Sequence, residues 1–433
     1  MIIPSRKRRS SKLIIGSLSL AVFGSAVLTG CGSQPETPGG SADAPVKDTP
    51  VTLKIALPGW VTEQEYVSTF VDPLKKTHPQ TTLEPVKFEN IQKLTELVSS
   101  GTIPDLIVSS VGLQEILELN MAYDMEPLIK KYQIPLELFD QAGLAAIRTN
   151  SGMGKLIAIP YTVGFQALYY NKDLFDKFGV AYPKAGITWE QVVSLTRQLT
   201  KTVDGVQYAG MIGATPAKLG GQLSLPLVDP KTGKAVTNTD GWKKVFSTLK
   251  DIYTIPGNEQ SVSFGQPKFN KDRVVAMMLA NNTLRNLPED LNWDITSMPV
   301  FSDKPGTGGS FLGVVIGVTS QSVHKDQAFQ LIQTIMMREP QLQMVKDGRP
   351  SPLNSKEFIS EFARNIPNSG SKKLSDIFTV KFAPPAAISP YDTIAVKGLD
   401  EAYKEVVLKG KDINTALREA EEKINNDIAA QRK

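Results

Sequence analysis

From residue 51 onward the apolar positions fall into short runs whose period switches between two and about 3.6. Residues 51–57 alternate apolar with polar and stop at Pro58 and Gly59, the pattern of a strand closed by a turn. Residues 63–76 place Tyr66, Phe70, Val71 and Leu74 on one stripe and predict a helix. A strand over 83–88, a helix over 91–99 and a third strand over 105–108 follow. Strands alternating with helices at this spacing predict an α/β fold on a parallel sheet. In such sheets ligands sit beyond the carboxyl ends of the strands, which singles out Trp60 after the first strand and Ser109 and Ser110 after the third. Apolar runs at 156–160, 167–170 and 314–318, bounded by Gly, Pro or Asn, read as further buried strands.

The pattern ahead of residue 51 is different. Arg6, Lys7, Arg8, Arg9 and Lys12 precede 16 uncharged residues, 13–28, a stretch short of the roughly 20 that span a bilayer comfortably. Basic run and short apolar run together predict a signal peptide over residues 1–30. The segment Leu28-Thr29-Gly30-Cys31 sets small residues before the only cysteine in the chain and resembles the bacterial lipoprotein box. That resemblance implies cleavage before Cys31 and a diacylglycerol on its thiol. Two acyl chains hold a membrane stably where one does not, so the expected location is the extracytoplasmic face of the cell membrane. Residues 31–50 are rich in Gly, Ser, Pro, Ala and Thr and predict a flexible tether.

Composition narrows the class. A chain of 433 residues with 41% hydrophobic positions exceeds what one core organises, so two or more domains are expected. The formal charge is +4, but the five bases of residues 1–30 are balanced by no acid, and removing them leaves −1. With no basic excess on the body, nucleic acid drops out as a leading partner. A single cysteine forms no internal disulfide.

Several segments together carry a family resemblance. They are Gly101-Thr102-Ile103-Pro104-Asp105 before an apolar strand, residues 155–161, residues 168–175 with Thr188-Trp189-Glu190 downstream, residues 228–233, residues 269–278, Trp293-Asp294-Ile295, Gly308-Gly309-Ser310 and the last helix at 414–424. In this order and spacing, over nearly all of residues 51–430, the chain resembles the extracellular solute-binding proteins of sugar ABC importers, the maltose-binding-protein-like group. The resemblance implies a two-lobe α/β periplasmic-binding-protein-like fold, with hinge-crossing strands and a ligand cleft between the lobes. It places the first crossing near 161–168 and the second near 301–311. The expected organisation is a first lobe from 51–163, a second from 164–302, a return to the first over 303–350, and a C-terminal helical segment, 351–433, mainly in the second. Closure is then a hinge motion set by a few loop residues.

An enzyme would need a nucleophile with its base, a metal cluster or a phosphate cradle. His78 and His324 stand far apart in sequence, the one cysteine has no partner, and no G-x-S-x-G elbow, Walker loop or G-x-G-x-x-G occurs. A pair of carboxylates acting on glycosides stays open, because their separation is spatial. No cofactor or metal is expected. A binding site for sugars instead needs aromatic faces for the CH-rich sides of the rings and polar groups for the hydroxyls. Trp60 is the candidate platform, with Glu63 beside it. Ser109 and Ser110 are either solute contacts or caps of the next helix. Tyr161 and Phe165, on the first crossing, are either solute contacts or hinge packing. Asn281, Asn282 and Arg285 follow the buried run 274–279 and offer amide and guanidinium donors; Gly309 and Ser310 complete the set. Trp189, Trp242 and Trp293 are expected in the core. Maltose-type relatives place an aromatic where this chain has Thr283 and Arg285, and its segment 211–216 is small and plain. That weakens the case for a maltodextrin. The expected function is a lipid-anchored, monomeric receptor that delivers a saccharide to the membrane subunits of an ABC permease. A peptide or polyamine receptor, an anchored glycan-active enzyme and a surface adhesion or scaffolding protein are the alternatives.

Overall fold

The computed structural model describes residues 50–110 and 112–432. The proposed signal peptide, Cys31 and all but the end of the tether lie outside the described residues. The strands, in chain order, are β1 (Val51–Pro58), β2 (Thr81–Phe88), β3 (Leu106–Ser110), β4 (Ile159–Gly164), β5 (Gln166–Asn171), β6 (Lys201–Val203), β7 (Val206–Ile212), β8 (Val275–Asn281), β9 (Trp293–Ser297), β10 (Thr307–Ser310), β11 (Leu312–Val318) and β12 (Lys381–Ala383). They form two five-stranded sheets, β2-β1-β3-β11-β4 and β6-β7-β8-β5-β9, and a small parallel pair, β10-β12. Each large sheet is the centre of one lobe, in agreement with the expected two-lobe α/β fold.

In the first sheet β1 runs parallel to β2 and β3, whereas β11 runs antiparallel to β3 and β4. Its core gathers Leu53, Ile55 and Leu57 from β1 and Ile107 and Val108 from β3. Phe70 and Phe329 join from helices that cover the sheet. The helix over residues 63–77 carries a π-helical stretch, Val67–Val71, in its middle, a feature that extra backbone spacing, not apolar period, would reveal.

In the second lobe β5 is buried on both sides, as a central strand with helices over each face should be. Leu168 and Tyr170 point into a core with Trp189, Trp242, Phe246 and the C-terminal helices Asp392–Lys409 and Ile413–Gln431. Ala167 and Tyr169 point the other way, onto Trp293, Ile295 and Phe358. This is the period of two expressed in packing. Trp189, Trp242 and Trp293 are at most 2% exposed.

Three passages connect the lobes. The first is Gly164 and Phe165 between β4 and β5, and the second is the segment from β9 through β10 to β11. The third lies in the helix Arg338–Lys346, where Met344 belongs to the first core and its neighbour Val345 to the second. A helix that turns one side to each lobe leaves no break in the chain's pattern, which is why it is invisible to periodicity.

Candidate functional site

The strand directions locate the cleft. Because β3 and β4 are both antiparallel to β11, they run the same way as β1, so the carboxyl ends of β1, β3 and β4 share one edge of the first sheet. The chain leaves β4 at that edge and enters β5 at once. In the second sheet β5 is antiparallel to β8, and β8 is parallel to β7. The edge where β5 begins is therefore the edge where β7 and β8 end. Two sets of carboxyl strand ends face each other across the crossing, the arrangement in which α/β sheets hold ligands.

On the first wall, β1 ends in Pro58 and Gly59, and Trp60 stands 59% exposed. It is the only aromatic side chain classed as exposed among the described residues. Thr62 then starts a helix through a capping box: its hydroxyl accepts from the Glu65 N–H, and the Thr62 N–H donates to the Glu65 carboxylate at 3.1 Å. Glu63 is exposed and pairs with Lys87 at 3.0 Å. Ser109 is fully buried; its hydroxyl donates to the Ser110 carbonyl and to the Glu115 carboxylate. Ser110 is exposed. Of the two serines only Ser110 offers its side chain to the cleft.

At the crossing, Tyr161 is 2% exposed and packs edge-on to Phe70, and Phe165 is 7% exposed and packs edge-on to Phe362. Each ring is drawn into the core of its own lobe, which is the hinge-packing alternative of the two readings. Gln166, beside them, was not anticipated. It pairs in register with Asn281, and its buried Oε1 has no hydrogen-bond partner. Gly309 lies against it, so close that a Cβ there would sit 2.0 Å from that oxygen. A larger residue there would push the Gln166 side chain aside, so the glycine lets the first two passages touch as they do. Ser310, next along β10, is partly exposed.

The second wall is braced from behind. Gly213 adopts φ +81°, and a Cβ on it would come within 2.3 Å of the Leu279 carbonyl oxygen, so the loop after β7 can cross β8 only with glycine there. Lys218 donates to the Gly213 and Leu279 carbonyls at 2.8 and 2.9 Å, and Tyr253 donates to the Ala214 carbonyl at 3.0 Å. Burial brings the Lys218 ammonium down to about 8, with Asp400 opposing. Asn281 is exposed at the end of β8. Asn282 turns back: its amide donates to the Gly348 carbonyl at 2.7 Å. Thr283 is buried, its N–H donating to the Tyr169 hydroxyl and its own hydroxyl accepting from Gln266. Arg285 reaches across to the first lobe and binds Glu65 Oε1 at 2.6 Å, with Arg349, just after the helix of the third passage, 3.6 Å from the same oxygen. Burial raises the Glu65 carboxyl, but the Arg285 guanidinium, the Thr62 N–H and Arg349 outweigh it and hold it below its ordinary value.

Trp60, Ser110 and Asn281 are exposed at the strand ends that face the cleft, whereas Ser109, Tyr161, Phe165 and Asn282 are committed to internal contacts, Ser310 packs its hydroxyl against Gly221, Glu63 pairs with Lys87 and Arg285 holds an interlobe pair. Glu65 was legible only as the fourth residue of a Thr-x-x-Glu cap; Arg349 and Gln166 carried no local signal. Among the described residues no group of three His, Cys, Asp or Glu could hold a metal, and no helix is long and apolar enough to cross a membrane.

Comparison with known proteins matches the same architecture. A binding protein of Brucella abortus is 22% identical over 294 residues, covering 64% of this chain and 68% of its own. Among solved structures, a sugar transporter protein of Rhizobium etli in an open conformation superposes with a TM-score of 0.69 at 19% identity, over 86% of this chain and 98% of that one. The substrate-binding protein of Listeria monocytogenes in complex with cycloalternan gives 0.67 at 16% identity, over 88% and 99%. The sugar-binding protein MalE of Xanthomonas citri gives 0.66 at 19% identity, over 88% and 98%. These likenesses are of fold. The sequence profile of bacterial extracellular solute-binding proteins matches residues 69–361, which is more than half of the chain, and the protein belongs to that family.

Proposed function

We propose that this protein is a receptor that captures a carbohydrate, an oligosaccharide, between its lobes and presents it to the membrane subunits of an ABC permease. The observation that carries the reading is Trp60: a large aromatic face left exposed at the carboxyl end of β1, with Ser110 and Asn281 exposed at neighbouring strand ends. Such a face suits the CH-rich side of a sugar ring, and the polar ends suit its hydroxyls. The solved relatives that bind sugars lend support at the level of fold. Cys31 is the proposed diacylglycerol site, residues 1–30 the cleaved address and 31–50 the tether. The monomer works at the extracytoplasmic face of the membrane. Lobe boundaries near residues 163, 302 and 350 belong to the same reading, as does a role in binding without turnover.

A panel of glycans, peptides and polyamines read by thermal unfolding tests it. A specific ligand at 100 times its Kd adds about 2.7 kcal/mol. Stabilisation by peptides or polyamines with no saccharide active would overturn the carbohydrate assignment, and conversion of a bound glycan to product would make the protein an enzyme.

A further inference from the structure

We propose that the Glu65–Arg285 ion pair, backed by Arg349, is a latch between the two walls of the cleft that breaks when the lobes part. Among the described residues it is the salt bridge that joins the end of β1 to the end of β8 directly. Both partners are held from their own side. Glu65 is fixed by the Thr62 cap and its side chain is only 12% exposed. Arg285 sits in the turn Leu284–Asn286, whose approach is pinned by Asn282 to Gly348 and by Thr283 to Tyr169. The backbones that carry the pair are therefore fixed to their own walls, and a parting of the lobes wider than the Arg285 side chain can follow breaks it.

The direction of the effect follows from the distance. At 2.6 Å the two groups are already in contact, so parting the strand ends that carry them can only lengthen the pair. Around it Gln64, Ser68, Asp347, Arg349 and Asn365 line a half-open polar pocket of about 140 Å³, through which water and ions reach the pair. An interaction that is charged, partly buried and present in one arrangement shifts the equilibrium toward that arrangement and does so less as salt rises.

The first arm of the test needs no solute, so it stands apart from the carbohydrate reading. Small-angle scattering on the full chain measures the radius of gyration at about 10 mM and about 1 M salt, where the screening length falls from roughly 30 to 3 Å. The parent protein should expand with salt. Arg285→Gln and Glu65→Gln should be expanded at both salts and flat. Gln at position 65 still completes the capping box, so Glu65→Gln removes the charge and spares the helix start. Arg285→Lys should restore the salt response. Equal radii and equal salt responses in parent and variants would overturn the latch whatever the solute proves to be. In the second arm, the solute from the panel should bind Arg285→Gln roughly three- to tenfold more weakly. Unchanged affinity in a variant whose lobes have parted would overturn the coupling of the latch to binding.

Discussion

Replacing Trp60 by Ala separates a binding role from a packing role in a single variant. A tryptophan presents on the order of 250 Å² of side-chain surface, and at 59% exposure on the order of 150 Å² of it is open. One sugar ring covering half of that at roughly 25 cal/mol/Å² contributes about 2 kcal/mol, or about thirtyfold in Kd. The remainder, on the order of 100 Å² resting on the protein, bounds the cost to folding at about 2.5 kcal/mol, before the alanine methyl recovers part of it. A domain of this size should lose no more than a few degrees in Tm. A core tryptophan would behave in the opposite way: truncation of a buried one costs about 3–5 kcal/mol, and Trp189, Trp242 and Trp293, each 2% exposed or less, are the internal comparison. Calorimetric titration with the solute from the panel and a thermal melt on the same preparation give both quantities. A large loss of Tm with affinity retained in the folded fraction would refute the exposure argument. Unchanged affinity with unchanged Tm would remove Trp60 from the site.

Two further variants probe the wall after β7 and β8. Gly213→Ala places a methyl against the Leu279 carbonyl at a left-handed backbone position, so it should cost about 1–3 kcal/mol in chemical denaturation; a neutral result would show that the loop can be rebuilt without its glycine. Lys218 titrates at about 8 in the fold against 10.5 when free. Between those values the unfolded chain holds a proton that the folded chain has released, so this group makes stability rise with pH across that window and contributes a constant cost below it. The stability difference between the parent and Lys218→Met, measured at steps from pH 7 to pH 10.5, should change in the parent's favour as pH rises; a difference independent of pH would refute the assignment of a buried, charged lysine at neutral pH.

Local pattern carried the first sheet and the centre of the second. β1, β5 and β11 are short apolar runs bounded by Pro, Gly or Asn, and such boundaries are set by backbone chemistry that any reader of sequence can use. Trp60 was legible for the same reason, because it follows a strand end. Ser109 and Ser110 look alike in sequence, yet pleating sends one inward to Glu115 and the other outward. Arg285 was found as a donor, but its partner Glu65 lies 220 positions away, and no local rule couples residues at that range. Phe165 sits on the crossing as anticipated and Tyr161 within β4 just ahead of it, but large rings bury more apolar area by entering the adjacent cores than by lining a wet groove.

The place of β11 in the first sheet governs how this chain can be made. Val108 and Ile316 are hydrogen-bonded neighbours in space but about 200 residues apart along the backbone, the kind of long-range pairing that slows folding. Until residues 312–318 are available, β3 and β4 each have an unpaired flank where the missing strand belongs, and such flanks invite pairing with other chains. A nascent or truncated chain that stops short of Leu312 therefore holds most of the first lobe's sequence without being able to complete its sheet, so the two lobes mature together late in synthesis and fragments cut at the apparent lobe border should aggregate.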